Sequence, residues 1–409
     1  MRRWPAATVY LMLQTVSGFA AALMFTTYAL YYIRTLHLGP LELVLVGTAL
    51  EASYYLCELP TGALADARGR RPCLIAGTAI LGLAYSFEGS LRAFSGPVLP
   101  LLLGAEAVRG LGEALCAGAA QAWIAGEIGD ARAGALYLRA AQWQQGAGLF
   151  GTLAGVGLAL LALNLPYVVG GLLFLALAGG LAAAMREDGF RPTPRALRQA
   201  LPAAAGQALR AVRAAPLLWL LLGAGVFAGA SSEGGDRLWP AQLLHTFGLP
   251  AGRLGAPVWF GLLALAGQAL GLCATSLARR VLDPGDAAAA ARALVACAAT
   301  RLICLLGMGL APGFWWAAAA YLGLGAAGAV QAPLSSAWLN TLIRPQVRAT
   351  VLSMLGQADA LGQAAGGPAV GLVGRVRSLR AAMVLAAALL LPSVLAYGRG
   401  AAAPAAFAD

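Results

Sequence analysis

Ionisable and phenolic side chains recur at helical spacing inside stretches that are otherwise apolar. Glu51, Tyr54, Tyr55 and Glu58 stand at i, i+3, i+4 and i+7, so one helix face carries two carboxyls and two phenols. Glu106, Arg109 and Glu113 share a second face, Glu233, Asp236 and Arg237 a third, and Asp359 and Gln363 lie four apart on a fourth. A charge held at mid-bilayer costs roughly 2.5–3.5 kcal/mol on insertion scales, so each of these groups asks for a partner or a purpose. Arg109 with Glu106 or Glu113 reads either as a neutral structural pair or as a polar contact for a solute. Glu233 precedes Arg237 by four, the favourable order for an ion pair, which suits a gate near the outer end as well as a ligand site. Glu58 and Asp359 have no basic residue within a turn of their own helices, and these two, followed by Glu113, are the candidates for taking up and releasing a proton. Gln142, Gln145 and Gln331 add amides that suit hydrogen bonding to a medium-sized organic solute, although one amide alone more often packs than binds.

The elements that must hold these groups are long. Of 409 residues, 60% are hydrophobic and 11% charged, with a mean hydropathy of +0.75. A soluble domain of ordinary composition is about 45–50% apolar and about 25% charged. Apolar runs of about 20 residues match a hydrocarbon layer about 30 Å thick. The pattern predicts twelve spans, over Ala7–Ile33, Leu43–Leu64, Cys73–Leu91, Val98–Ala125, Ala140–Leu163 and Pro166–Met185, then Pro216–Leu243, Leu254–Leu277, Ala293–Leu310, Phe314–Leu339, Ala349–Val373 and Leu379–Tyr397. The first is longer than the apolar core of a secretory signal, about 7–15 residues, and is expected to be retained. A soluble enzyme, a nucleic-acid binder and a disulfide-stapled secreted domain are poor fits to this composition. No GxxxxGK[ST] loop, HExxH pair or Ser/His/Asp set points to an integral membrane enzyme. Six cysteines without a CxxC spacing, and two histidines (His37 and His245) at span ends, suggest neither a metal site nor a cofactor.

All 28 basic residues are arginine, and they sort by side. Placing the N-terminus in the cytoplasm gives that face nineteen arginines and the opposite face seven, which by the positive-inside rule puts both termini inside a cytoplasmic membrane. Six of the nineteen lie between Arg186 and Ala215, a polar stretch with Pro192, Pro194 and Pro202 that divides the chain in two. The expected organisation is an N-terminal six-helix bundle over 1–187, a cytoplasmic linker over 188–215, and a C-terminal six-helix bundle with a short tail over 216–409. The halves echo one another. Thr35-Leu36-His37-Leu38-Gly39-Pro40 returns as Thr246-Phe247-Gly248-Leu249-Pro250, at an offset of 211. Gln121-Ala122-Trp123-Ile124 returns as Ala337-Trp338-Leu339-Asn340, with Trp123 and Trp338 offset by 215. Parallel six-helix repeats of this kind build one large class of secondary transporters.

Between the second and third spans stands Gly62-Ala63-Leu64-Ala65-Asp66-Ala67-Arg68-Gly69-Arg70-Arg71-Pro72. It closely resembles the signature loop of the major facilitator superfamily, G-x-L-a-D-r-x-G-r-[KR]-[KR], matching at Gly62, Leu64, Asp66, Gly69, Arg70 and Arg71. In that family the loop latches the cytoplasmic side closed when the transporter faces outward. Gly62 then serves close helix approach, Gly69 a tight turn, and Asp66 accepts hydrogen bonds from a facing helix end or an arginine. Glu58-Leu59-Pro60-Thr61-Gly62 is similar to the entry of many bacterial efflux-type permeases, and Arg109-Gly110-Leu111-Gly112 to the family's intramembrane arginine motif, with Glu113 where a small residue is commoner. The run Gly146 to Gly155 matches the antiporter motif only in part, since its central proline is missing, and such glycines also serve ordinary helix packing. The resemblance implies an all-α membrane protein of the major facilitator fold. It further implies a monomeric secondary transporter in the lipid bilayer, exporting a small-molecule substrate by alternating access against protons. A sugar or metabolite importer on the same fold is the alternative within this class. A non-transporting scaffold or receptor would not need the charged helix faces.

Overall fold

The computed structural model of the chain describes residues 4–94, 96–190, 206, 209–210, 212–213, 216–282, 286–343 and 348–402. Twelve helical spans run through them. The first comprises Ala6–Phe25 with a continuation through Tyr28–Leu30 and a π-helical turn, Tyr31–Thr35. The second and third are Pro40–Arg68 and Arg70–Ser90. The fourth is broken into Val98–Cys116 and Ala119–Ile128, and the fifth and sixth are Asp130–Leu161 and Leu165–Ala184. The seventh, Pro216–Ala241, also ends in a π-helical turn, Gln242–Phe247. Ala256–Val281, Ala287–Leu310, Phe314–Leu342 and Arg348–Val376 follow as the eighth to eleventh. The twelfth is split into Leu379–Leu389 and Leu391–Ala402. Much of the expected linker, and Arg2, Arg3, Arg191, Arg195, Arg198 and Arg344 from the charge count, lie outside the described residues.

Nine of these spans are long and apolar enough to cross a bilayer. The second, fourth and eleventh fall short of that measure, and they are the ones that carry Glu51 and Glu58, Glu106 to Glu113, and Asp359. Helices extend past their apolar runs where polar residues continue the turn. The fifth starts at Asp130 rather than Ala140, and the ninth at Ala287 rather than Ala293, capped by Asp286 accepting from the amides of Ala288 and Ala289, both at 2.9 Å. The break in the fourth span sits at Gly118, whose φ of 65° suits a residue without a Cβ.

The chain forms two units. One comprises Met1–Leu38, Ala49–Pro194 and Arg253–Ala264, the other Gly39–Thr48, Arg195–Gly252 and Leu265–Asp409. Within the first unit, the first span packs on the fifth and sixth, and the third on the fourth and sixth. Within the second, the seventh packs on the eleventh and twelfth, and the ninth on the tenth and twelfth. This is the same pairing scheme shifted by six spans. It extends to detail, since the left-handed residues that follow the two π-turns are His37 (φ 56°) and Gly248 (φ 70°), 211 positions apart. Trp123 and Trp338 are both 2% exposed, each in the buried core of its own unit. Burial of large apolar side chains on both repeats supplies the packing, while glycine lets backbones meet. A Cβ at Gly155 would collide with the Leu23 carbonyl across the first and fifth spans, and one at Gly229 with the Asp359 carbonyl across the seventh and eleventh. Gly151 and Gly155 of the glycine-rich run therefore act in helix packing.

Candidate functional site

The N-terminal unit buries its charges around one guanidinium. Arg109 is 4% exposed, and its Nη1 lies 2.8 Å from Glu106 Oε2 and donates to Glu106 Oε1 at 2.9 Å. Its Nε donates to Glu113 Oε1 at 3.2 Å. Arg109 thus pairs with both acids of its own helix, and Glu88, fully buried on the third span, brings a third carboxylate 4.0 Å from Nη1. Aromatic rings wall the cluster. Phe25 and Tyr85 each lie 5.6 Å from the guanidinium carbon, in cation–π geometry. The Tyr32 hydroxyl stands 3.3 Å from Glu88 Oε2, 3.2 Å from Glu106 Oε1 and 3.0 Å from the Tyr167 hydroxyl, while Tyr31 donates to the Glu88 carbonyl at 2.8 Å. Four helices thereby converge on Arg109.

Glu113 is the member of this cluster that faces open space. Its side chain is 36% exposed and lines a cavity of about 530 Å³ inside the N-terminal unit. Glu51, Tyr54, Gln14, Ser17, Gln121 and Gln144 share the lining, and the broken backbone at Ala117 and Gly118 forms part of the wall. The second and fourth spans touch closely here. Ser53 donates to the Ala107 carbonyl at 2.5 Å, and a Cβ at Gly110 would press on Leu50, Ser53 and Tyr54. Gly110 thus holds the Glu51 face against the Arg109 helix, and the Tyr54 phenol lies within electrostatic reach of Glu58, Glu113 and Glu51. The Glu58 carboxyl makes no hydrogen bond or ion pair among the described residues. Gln144, one position from Gln145 and two from Gln142, reaches this cavity; Gln142 instead borders an apolar groove with Trp143, Phe19 and Phe150, and Gln145 is exposed.

The C-terminal unit has its own polar cavity, about 240 Å³, lined by Arg301, Gln331, Ser335, Asp359 and Tyr397 among others. Arg301, on the ninth span, donates to Gln331 Oε1 at 3.3 Å. Asp359 accepts from Gln363 at 2.8 Å and stands within electrostatic reach of Arg301. Asp236 is exposed and lies within electrostatic reach of Arg301 and Arg237. Further along the seventh span, Arg237 Nε donates to the buried Glu233 carboxylate at 2.9 Å, the acid-first ion pair. A Cβ at Gly47 would overlap that pair, so the first turns of the second span rest on it.

The Gly62–Pro72 loop is held by a residue outside it. Glu187, just beyond the sixth span, accepts from the Arg70 amide at 2.5 Å and the Arg71 amide at 3.0 Å, capping the third span with a carboxylate. Arg71 returns the contact, donating to the Met185 carbonyl at 3.0 Å and the Ala182 carbonyl at 2.8 Å. Gly69, at φ 106°, makes the turn and leaves room for Glu187. The Asp66 carboxyl makes no hydrogen bond or ion pair among the described residues, and a Cβ at Gly62 would meet nothing within 4 Å. The residues of these polar clusters that the sequence pattern did not single out are Glu88, Arg301, Gln144 and Glu187. The first two were signalled only by being ionisable inside apolar spans.

The sequence profile described as Major Facilitator Superfamily matches residues 10–299. No curated protein matches the chain by sequence. Among solved structures, a point mutant of the nucleoside transporter NupG superposes with a TM-score of 0.75 at 11% identity, over 97% of this chain and 99% of that one. An auto-inhibited POT family peptide transporter gives 0.72 at 14% identity, over 96% of both chains. A bacterial homologue of the human lysosomal transporter Spinster, inward-facing and unoccupied, gives 0.66 at 16% identity, over 97% and 96%. At these identities the likeness is one of fold.

Proposed function

Because the chain belongs to the major facilitator superfamily, we propose that it is a secondary transporter that exports a small organic solute across the cytoplasmic membrane in exchange for protons. The observation that carries this reading is the mismatch of charge inside the N-terminal unit. Three carboxyls, Glu88, Glu106 and Glu113, gather on one guanidinium, and the third of them opens to a solute-sized cavity. A fixed structural pair needs one acid for one base, whereas an acid surplus at membrane depth suits a site that carries protons. Glu58 and Asp359 sit on the second and eleventh spans without a basic partner in hydrogen-bonding contact, which suits the same task. The repeat architecture supports alternating access, in which two six-helix halves expose a site to each side in turn. The arginine distribution supports cytoplasmic termini, and each chain holds both halves, so the monomer suffices as the unit of transport.

Everted membrane vesicles from cells expressing the protein, acidified inside by respiration and loaded with a pH-quenched dye, provide the test. Solutes are added in turn from panels of sugars, nucleosides, peptides, organic acids and amines. A solute handled by the protein releases lumenal protons and restores fluorescence, and Glu113→Gln abolishes that response. Protein that is inserted in the membrane yet responds to no panel member contradicts the proposal.

A further inference from the structure

We propose that the solute is an organic cation, seated in the N-terminal cavity with its positive charge between Glu51 and Glu113 and its apolar part against Tyr54 and Phe174. This deepens the transporter reading and rests on it. The cavity, at about 530 Å³, falls within the range of about 300–1,000 Å³ typical of small-molecule sites. Its wall contains two carboxyl-bearing residues and no arginine, lysine or histidine among the described residues. The nearby cation stands outside that lining and is shared among three acids. Arg109 donates from Nη1 to Glu106, faces Glu88 with the same nitrogen, and meets Glu113 through Nε at 3.2 Å. With three acids (Glu88, Glu106 and Glu113) gathered on one base, and Glu113 opening to the cavity, the acid surplus of this cluster favours positive charge beside it and opposes anions. A neutral solute would draw no Coulomb attraction from that surplus.

The remaining lining suits such a ligand. Tyr54 and Phe174 supply aromatic surface, and an alkylated ammonium or similar cation over such a face gains cation–π attraction. Gln14, Ser17 and Gln144 supply oxygens that accept from N–H donors of varied geometry. The backbone break at Gly118 belongs to the same wall, and irregular backbone at membrane depth is tolerated where it borders a cavity. The C-terminal cavity is smaller and presents Arg301 beside Asp359, so the N-terminal cavity is where a cation fits.

Tetraphenylphosphonium, tetraphenylborate and triphenylphosphine oxide share aromatic bulk and differ in charge, which makes them suitable probes. Binding of each to the purified protein in nanodiscs is measured against protein-free nanodiscs. Saturable binding of the phosphonium alone is expected, weakened about tenfold or more by Glu51→Gln and by Glu113→Gln, the loss that follows when one charged contact is replaced by a neutral one. Glu51→Gln stands outside the Arg109 cluster, so it reports on the site even where Glu113→Gln unfolds the protein. Binding of the borate or the oxide as tight as that of the phosphonium, or indifference of the phosphonium to Glu51→Gln, overturns the assignment. Vesicle responses to neutral or anionic solutes with none to amines overturn the substrate class while leaving transport intact. No binding together with no response to any panel fails both.

Discussion

Replacing Arg109 with methionine removes the one cation of the buried cluster while keeping an unbranched side chain of similar length. Glu106 and Glu88, at 1% and 0% exposure, then keep their carboxyls without the guanidinium that lies 2.8 and 4.0 Å from them. Breaking a buried ion pair from one side costs about 3–5 kcal/mol, because the partner's charge stays out of water. Two further losses, the contact to Glu113 and the guanidinium over Phe25 and Tyr85, push towards the upper end. Arg109→Lys keeps the charge but has a single nitrogen for what Nη1 and Nε now hold separately, so it gives up about one charge-assisted hydrogen bond, about 1.5–3 kcal/mol. At about 2–4 °C per kcal/mol for units of about 150–250 residues, the methionine variant melts about 6–20 °C below the parent and the lysine variant falls between. Adding Glu106→Gln to Arg109→Met removes one of the stranded charges and should restore part of the loss, a coupling of about 1 kcal/mol or more. Melting curves in detergent, read by intrinsic tryptophan fluorescence, make the comparison. A methionine variant as stable as the parent, or a double variant no better than the single, would falsify the placement of these charges.

Glu187→Ala strips the third span of its cap and should cost about 1 kcal/mol, seen as a lower melting temperature, with faster exchange of the Arg70 and Arg71 amides. Gly229→Ala drives a methyl into the Asp359 carbonyl and should destabilise the protein by about 1–3 kcal/mol, whereas Gly223→Ala on the same helix, where a Cβ meets nothing within 4 Å, should be close to neutral. Asp66→Asn should sharply lower transport while leaving expression near normal, because its carboxyl makes no hydrogen bond or ion pair among the described residues; undiminished transport would remove Asp66 from the gate. Glu58→Gln and Asp359→Asn should keep solute exchange while losing gradient-driven flux, and if both retain that flux, neither residue carries the proton.

Hydropathy marks nine spans clearly because a bilayer imposes one length scale on each helix, the three more polar spans are bounded by their neighbours' turns and charges, and the repeat is visible because both halves keep a similar turn sequence around His37 and Gly248. The cluster was legible only along its own helix. Spacing placed Glu106, Arg109 and Glu113 on one face, but Glu88, Tyr32 and Tyr167 reach them from spans that sequence periodicity does not relate. The break at Gly118 is not legible because it lies inside the short apolar run 114–120, where alanine and glycine carry no signal of a turn. The amides of the fifth span show the limit of phase: each helical residue turns about 100°, so an error of one position separates Gln144 in the cavity from Gln145 outside it, and two positions reach Gln142 on an apolar groove. Glu187 lay just past the apolar edge of the sixth span, where a polar residue looks like any loop residue.

Solute movement under an imposed pH gradient tests the coupling most directly. Proteoliposomes containing the purified protein are prepared with no membrane potential, and uptake of a solute that binds is followed with the interior acid, with the exterior acid, and with no gradient. In exchange, protons leaving an acid interior drive the solute inward, so accumulation above equilibrium is expected with the interior acid and should vanish in Glu113→Gln. Accumulation with the exterior acid instead would mean that protons and solute travel together, and uptake that ignores the gradient in both directions would contradict proton coupling altogether.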